Sequence, residues 1–198
     1  MSAGRFSDFD HQCMARALEL ARRALYTTDP NPRVGCVLVR DGAVVGQGAH
    51  FLAGGPHAEV HALRAAGDAA CGATAFVTLE PCNHSGRTPP CVEALIAAGV
   101  RRVVYAVEDP NPLVAGQGAA RLRAAGITVE GGLHADQAEA LNRGFFQRMR
   151  SGRPWLTLKL AASLDGRTAM ASGESQWISG EAARADVHRL RAEAGAVL

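Results

Sequence analysis

Met14, Ala17, Leu18, Ala21 and Leu25 recur at three- and four-residue intervals, the spacing of one helical face. Ser7 followed by Asp10 is a capping pattern, so residues 8–26 are predicted to form an amphipathic helix. Thr27–Pro32 contains two prolines and breaks it. The apolar runs Val34–Val39 and Ala43–Gly48 flank Asp41-Gly42, a β-hairpin signal. Phe51–Pro56 reads as a glycine-containing loop. From there the pattern alternates: helix His57–Ala66, strand Ala73–Leu79, helix Val92–Ala98 closed by Gly99, strand Val103–Val107, helix Gly118–Ala125 closed by Gly126, strand Ile127–Glu130, and a longer helix over 134–149. A hairpin followed by alternating strands and helices implies an α/β sheet with helices on both faces.

Ser151-Gly152-Arg153-Pro154 is turn-forming and separates a domain over 1–150 from a segment over 151–198. Beyond it the pattern predicts a strand over Trp155–Ala162, a turn at Asp165-Gly166, a helix over Glu181–Ala194 and the start of a strand at Val197-Leu198. Roughly 45 residues are too few to close a core alone. The segment therefore reads as the incomplete first part of a second α/β unit.

Composition narrows the class. With 47% hydrophobic and 20% charged residues among 198, a disordered or collagen-like chain is excluded. No apolar run approaches the roughly 20 residues of a membrane span, and the N-terminal MSAGRFSDFD lacks the basic-then-apolar pattern of an export signal. A cytoplasmic protein without a membrane partner is expected. Residues 1–145 carry 13 basic and 14 acidic residues, and residues 146–198 carry 8 and 5. Neither balance is the footprint of a nucleic-acid binder. Five cysteines make an odd number, which argues against a closed disulfide set. Cys13, Cys36 and Cys71, in alanine-rich surroundings, read as buried small hydrophobes.

Chemistry concentrates at His57-Ala58-Glu59, Pro81-Cys82 and Cys91. One imidazole and two thiolates make a catalytic zinc set, which leaves the fourth position open and lowers the pKa of water held there. Glu59 is then the proton carrier. Residues two apart on a helix point about 200° from one another. His57 and Glu59 can therefore converge only where a helix meets the site end-on, a placement that Pro56 suits. Cys82 and Cys91 fall before or at the start of predicted helices, where the dipole favours thiolate. A structural zinc would want a fourth ligand, which His61 or His84 could supply. Glu59 separates that non-catalytic binding module from an enzyme, because a structural site has no use for the carboxylate.

The order H-x-E then P-C resembles the zinc nucleobase deaminases, whose second motif is P-C-x-x-C. Here eight residues, Asn83–Pro90, separate the cysteines, which speaks against a cytidine or tRNA-adenosine deaminase. The string PCNHSGRTPPC, with Asn31-Pro32-Arg33-Val34-Gly35-Cys36, Gly55–Glu59 and LKLAASLDGRTAMASGESQWIS over 158–179, is similar to the bifunctional riboflavin biosynthesis deaminase/reductase family. Ser85 departs from it, since a second His is common there. The resemblance implies a cytidine-deaminase-like three-layer α/β/α domain with a mixed sheet, followed by the start of an α/β reductase domain. It also implies zinc-dependent deamination at C2 of 2,5-diamino-6-(ribosylamino)pyrimidin-4(3H)-one 5′-phosphate, a small-molecule pyrimidine ribotide. Asn31, His50, His84, Arg87, Thr88, Asp109 and Asn111 match its substrate contacts, and Arg87 suits a phosphate. In the second segment Ala161 and Trp177 match NADPH positions, and Ser175 and Arg191 match substrate positions. Deamination without reduction is expected of this segment arrangement, and a homo-oligomer is left open.

Overall fold

The computed structural model describes residues 5–84, 89–112 and 114–198. Ser7 opens α1 (Asp8–Arg22) with a reciprocal cap. Its hydroxyl accepts from the Asp10 N–H at 3.1 Å and its own N–H donates to the Asp10 carboxylate at 3.0 Å. Met14, Ala17, Leu18 and Ala21 are buried as their spacing demands. The helix stops four residues earlier than its periodicity suggests. Residues 23–27 tighten into turns with i to i−3 hydrogen bonds, because the Thr27-Thr28-Asp29-Pro30 run that follows cannot continue a helix.

β1 (Gly35–Arg40) and β2 (Ala43–Ala49) form the expected hairpin. Asp41 and Gly42 both have positive φ, 51° and 76°, as a two-residue turn matched to strand twist requires. α2 (Ala58–Ala66), β3 (Thr74–Leu79), α3 (Cys91–Ala97), β4 (Arg102–Val107), α4 (Gln117–Ala124) and β5 (Thr128–Gly131) follow. The sheet order is β2-β1-β3-β4-β5. β1 pairs antiparallel with β2 and β3, while β3, β4 and β5 run parallel. Each strand alternates its apolar side chains between two cores. Cys36, Leu38, Ala75, Val77 and Val103 pack with Ala62, Val92, Leu95 and Leu122 of α2, α3 and α4. Val37, Val39, Phe76 and Val104 pack with Met14, Leu18 and Ala138 on the other face. This is a three-layer α/β/α domain with a mixed sheet. Each fully buried Leu or Phe contributes on the order of 1.5–3 kcal/mol.

Two close approaches position the working ends. A Cβ on Gly46 would lie 2.2 Å from the Ala62 carbonyl oxygen, so only glycine lets α2 settle onto β2. A Cβ on Gly118 would lie 1.9 Å from the Pro81 carbonyl oxygen, which seats α4 against the Pro81-Cys82 segment.

The helix predicted over 134–149 is two helices, α5 (Ala135–Leu141) and α6 (Arg143–Ser151), broken at Asn142. The buried Asn142 amide accepts from the Arg33 N–H at 2.7 Å and donates to the Arg33 carbonyl at 2.9 Å. It thereby satisfies both polar groups of one backbone residue, a demand that outweighs helix continuity. Cys71 also differs from expectation. Cys13 and Cys36 are buried, but Cys71 is exposed, since it ends the 3-10 turn Gly67–Ala70 instead of entering the apolar face of β3.

The chain divides into two units, Met1–Pro154 and Trp155–Leu198. In the second, the strands predicted over Trp155–Ala162 and at Val197-Leu198 do not form. Leu156, Leu158 and Leu160 are exposed, and a strand without a partner has no ladder for its backbone groups. The turn at Asp165-Gly166 is present, with Gly166 at φ 79°. α7 (Glu181–Glu193) carries no buried residue.

Candidate active site

His57 occupies the position just before the first turn of α2, and Glu59 lies in that turn. The helix therefore meets the site end-on, and the two side chains converge despite their spacing. Cys82 leaves the end of β3 one residue past Pro81, and Cys91 is the first residue of α3. The two helix N-termini bring their partial positive ends toward the two sulfurs. The ligand atoms of His57, Cys82 and Cys91 lie within 4.8 Å of one another. His57 Nδ1 is 3.0 Å from Cys91 Sγ and 3.6 Å from Cys82 Sγ. The Cys91 N–H donates to Cys82 Sγ at 3.4 Å. Cys91 is fully buried, while Cys82 and His57 are half-buried. One nitrogen and two sulfurs at this separation suit the tetrahedral preference and soft-ligand chemistry of zinc. No other His, Cys or acid joins the cluster among the described residues.

The electrostatics agree with this donor set. The Cys91 thiol, with His57 and the Cys91 N–H beyond it, holds Cys82 well below the usual thiol range despite its burial. Glu59 is 3% exposed. Burial, with the Cys82 charge beside it, raises its carboxyl to about 7, a value suited to taking and giving a proton near neutrality.

His57, Glu59 and Cys82 line a cavity of about 280 Å³. Its walls include Asn31, His50, His84, Asp109 and Asn111 as well as His57, Glu59 and Cys82, so the sequence-predicted residues converge. Arg87 and Thr88 lie outside the described residues. His50 is fully determined by its partners. The Asn31 amide nitrogen can only donate, so His50 Nε2 accepts at 3.1 Å and Nδ1–H donates to the Pro56 carbonyl at 3.0 Å. Burial pushes the His50 imidazole below its ordinary pKa, which keeps that neutral tautomer. Burial raises the Asp109 carboxyl, although its oxygen accepts from the Asn111 N–H at 2.9 Å. His61, a spare ligand by sequence, is half-buried and edge-on to Phe51 at 5.8 Å.

Sequence reasoning missed two contributors. Glu80, 3% exposed, accepts from the Gly116 and Ala119 N–H groups at 2.9 Å each and from the Asp109 N–H at 3.4 Å. One buried carboxylate thus anchors the segment that carries Asp109, and its position directly before Pro81-Cys82 was the available signal. Phe145, Arg148 and Met149 of α6 close another wall. Their helical pattern gave no sign of it. In the second unit Ala161 is half-buried, Ser175 and Arg191 are exposed, and the Arg184 guanidinium lies 4.1 Å from the Trp177 ring centroid.

Residues 7–107 match the family described as the cytidine and deoxycytidylate deaminase zinc-binding region. The chain belongs to that family. Residues 154–198 match the RibD C-terminal domain. The riboflavin biosynthesis protein RibD of Escherichia coli (strain K12) is 65% identical over 189 residues, covering 96% of this chain and 52% of the relative. That of Haemophilus influenzae is 60% identical over 193 residues, covering 98% and 52%. Among solved structures, Acinetobacter baumannii RibD superimposes with a TM-score of 0.91 at 60% identity, covering 94% of this chain and 52% of that one. A diaminohydroxyphosphoribosylaminopyrimidine deaminase/5-amino-6-(5-phosphoribosylamino)uracil reductase from Thermotoga maritima gives 0.87 at 41%, covering 92% and 53%. The chain is thus similar to RibD across both of its units and spans about half the length of these relatives. No helix among the described residues is long and apolar enough to cross a membrane.

Proposed function

We propose that this chain performs the deaminase step of riboflavin biosynthesis. It would hydrolyse the 2-amino group of 2,5-diamino-6-(ribosylamino)pyrimidin-4(3H)-one 5′-phosphate to give 5-amino-6-(5-phosphoribosylamino)uracil and ammonia. The observation that carries this reading is the buried Glu59 carboxyl beside the His57, Cys82 and Cys91 cluster, lining the same cavity as Asn31, His50, Asp109 and Asn111. The reaction named for the Thermotoga maritima structure supplies the substrate.

His57, Cys82 and Cys91 are the zinc ligands in this reading, and zinc bound there lowers the pKa of water. Glu59 takes a proton from the attacking water and delivers it to the ring nitrogen, then takes the second from the hydroxyl now on C2 and delivers it to the departing amine as the C2–N bond breaks and the carbonyl forms. Its burial keeps bulk water from competing for those protons. His50, locked as the Nδ1–H tautomer, fixes the Asn31 amide in the wall by accepting one of its N–H bonds. Asp109 and Asn111, held by Glu80 and by their own turn, offer acceptors and donors to ring edges or ribose hydroxyls. Arg87, with Thr88, is assigned to the substrate on the family resemblance alone, as is His84 beyond its place in the cavity wall. In the second unit we assign Ala161 and Trp177 to NADPH, and Ser175 and Arg191 to the substrate of a reductase domain.

The test is ammonia release from the pyrimidine ribotide by zinc-loaded protein. Turnover that disappears on chelation and returns with zinc is expected. Turnover that survives full zinc removal would overturn the assignment.

A further inference from the structure

Away from the cavity, two further imidazoles meet across 123 residues of chain. His11 stands on α1 and His134 directly precedes α5. Their rings are nearly perpendicular, 88° apart, with centroids at 5.0 Å. His11 Nδ1 and His134 Nε2 face one another at 3.3 Å. That separation is long for a hydrogen bond from a ring N–H, which is normally 2.7–3.2 Å. It fits a different geometry. Two nitrogens held at 2.0–2.1 Å by one tetrahedral ion stand about 3.3–3.4 Å apart. The backbone supports the pairing. His134 has φ 59°, a left-handed conformation uncommon for a residue with a Cβ, and one that repays a search for function.

The other nitrogen of His134 is also provided for. The Gln137 amide lies 3.0 Å from His134 Nδ1. With the amide nitrogen donating there, His134 Nε2 keeps its proton and points it at His11. Turning the amide over presents its oxygen instead, which accepts from Nδ1–H. The lone pairs of His134 Nε2 and His11 Nδ1 are then both free for an ion. An acceptor on the far nitrogen is the usual support of a metal-bound imidazole. His11 is exposed and His134 half-buried, so water reaches the remaining positions.

We propose that His11 and His134 form a metal site of their own, taking a tetrahedral divalent ion of the zinc type with water in its other two positions. Imidazole donors suit that class of ion. The site does not depend on the deaminase reading, and it shares no residue with the His57, Cys82 and Cys91 cluster. An ion there ties the first helix to α5. Because the unfolded chain does not hold the two rings together, the ion binds the folded state and stabilises it.

The test is a calorimetric titration of zinc chloride into protein already loaded with zinc at the His57 cluster. The starting protein is expected to take up one zinc per chain more than H11A or H134A does, or to bind it at least about ten-fold more tightly. Both variants are expected to retain the cluster zinc by metal analysis, which shows that they fold. H188A, which removes an exposed histidine of α7, is expected to bind as the starting protein does. Uptake and affinity in either H11A or H134A equal to those of the starting protein overturn the proposal, and so does an equal loss in H188A. In thermal unfolding, added zinc is expected to raise the Tm of the starting protein and not that of H11A or H134A. An equal shift in all three, or none in any, overturns it.

Discussion

Glu59 and Cys91 separate two kinds of dependence on the same site. Glu59→Gln keeps the shape of a buried side chain and removes its proton traffic. Zinc content by metal analysis should stay near one per chain while kcat falls by about 10²–10⁴. Cys91→Ala removes a donor that no described neighbour replaces, so the purified variant should lose its zinc. Far from the site, Asp10 shows the same logic in stability. Burial alone pushes its carboxyl up, but the Arg102 guanidinium at 2.7 Å, with the Ser7 N–H and hydroxyl, outweighs burial and holds it below the usual carboxylate range. A depressed folded pKa contributes stability that is present above the unfolded value, 3.8, and is lost as pH falls through the folded one. Asp10→Asn should therefore lower the denaturant midpoint at pH 7. The gap to the parent should close as pH drops below about 4, which urea titrations at several pH values would show.

At the level of elements, the same few atoms decide where helices start, stop and break. Asn142 both accepts from and donates to the Arg33 backbone. Asn142→Asp keeps the acceptor and loses the donor, setting a carboxylate oxygen against the buried Arg33 carbonyl. A loss of roughly 1–3 kcal/mol is expected, measurable by chemical denaturation, and Asn142→Leu should cost at least as much. This break was not legible in the chain, because the apolar periodicity runs through it and the partner lies 109 residues away. The starts were legible. Ser7, Pro56 before His57, and Asp41-Gly42 are local signals with local causes, and each element they mark is present. Motif order likewise placed the His57, Glu59, Cys82 and Cys91 set. The anchoring by Glu80 and the place of Arg148 in the cavity wall depend on which elements meet, namely β3 with α4 and α6 with the Pro30 loop. No spacing along the chain encodes those meetings.

On the scale of the whole molecule, the two units differ in how they meet their backbone's demands. Residues 5–151 place their apolar side chains in two cores on either side of one sheet. Residues 155–180 carry no strand or helix, and their large apolar side chains are exposed. Limited proteolysis followed by mass spectrometry should therefore cut within 152–180 well before it cuts within 5–150. First cuts inside the sheet would contradict this. Sequence periodicity predicted strands in the second unit because alternation reports what a segment can pair with, not whether the pairing is made. The first unit also keeps its chemistry at one rim. His50 follows β2, Cys82 follows β3, Asp109 follows β4, and Asn31 precedes β1. The opposite rim holds the Asp41-Gly42 turn, Gly72 and Arg101, a wide polar recess of about 530 Å³ with neither Glu59 nor any of His57, Cys82 and Cys91 in it. An engineer who wants to splice a reporter into this protein, or tether it to a surface, has a natural port at that turn. A cargo there hangs from the end of the hairpin remote from the cavity mouth, leaving diffusion to the metal end unhindered.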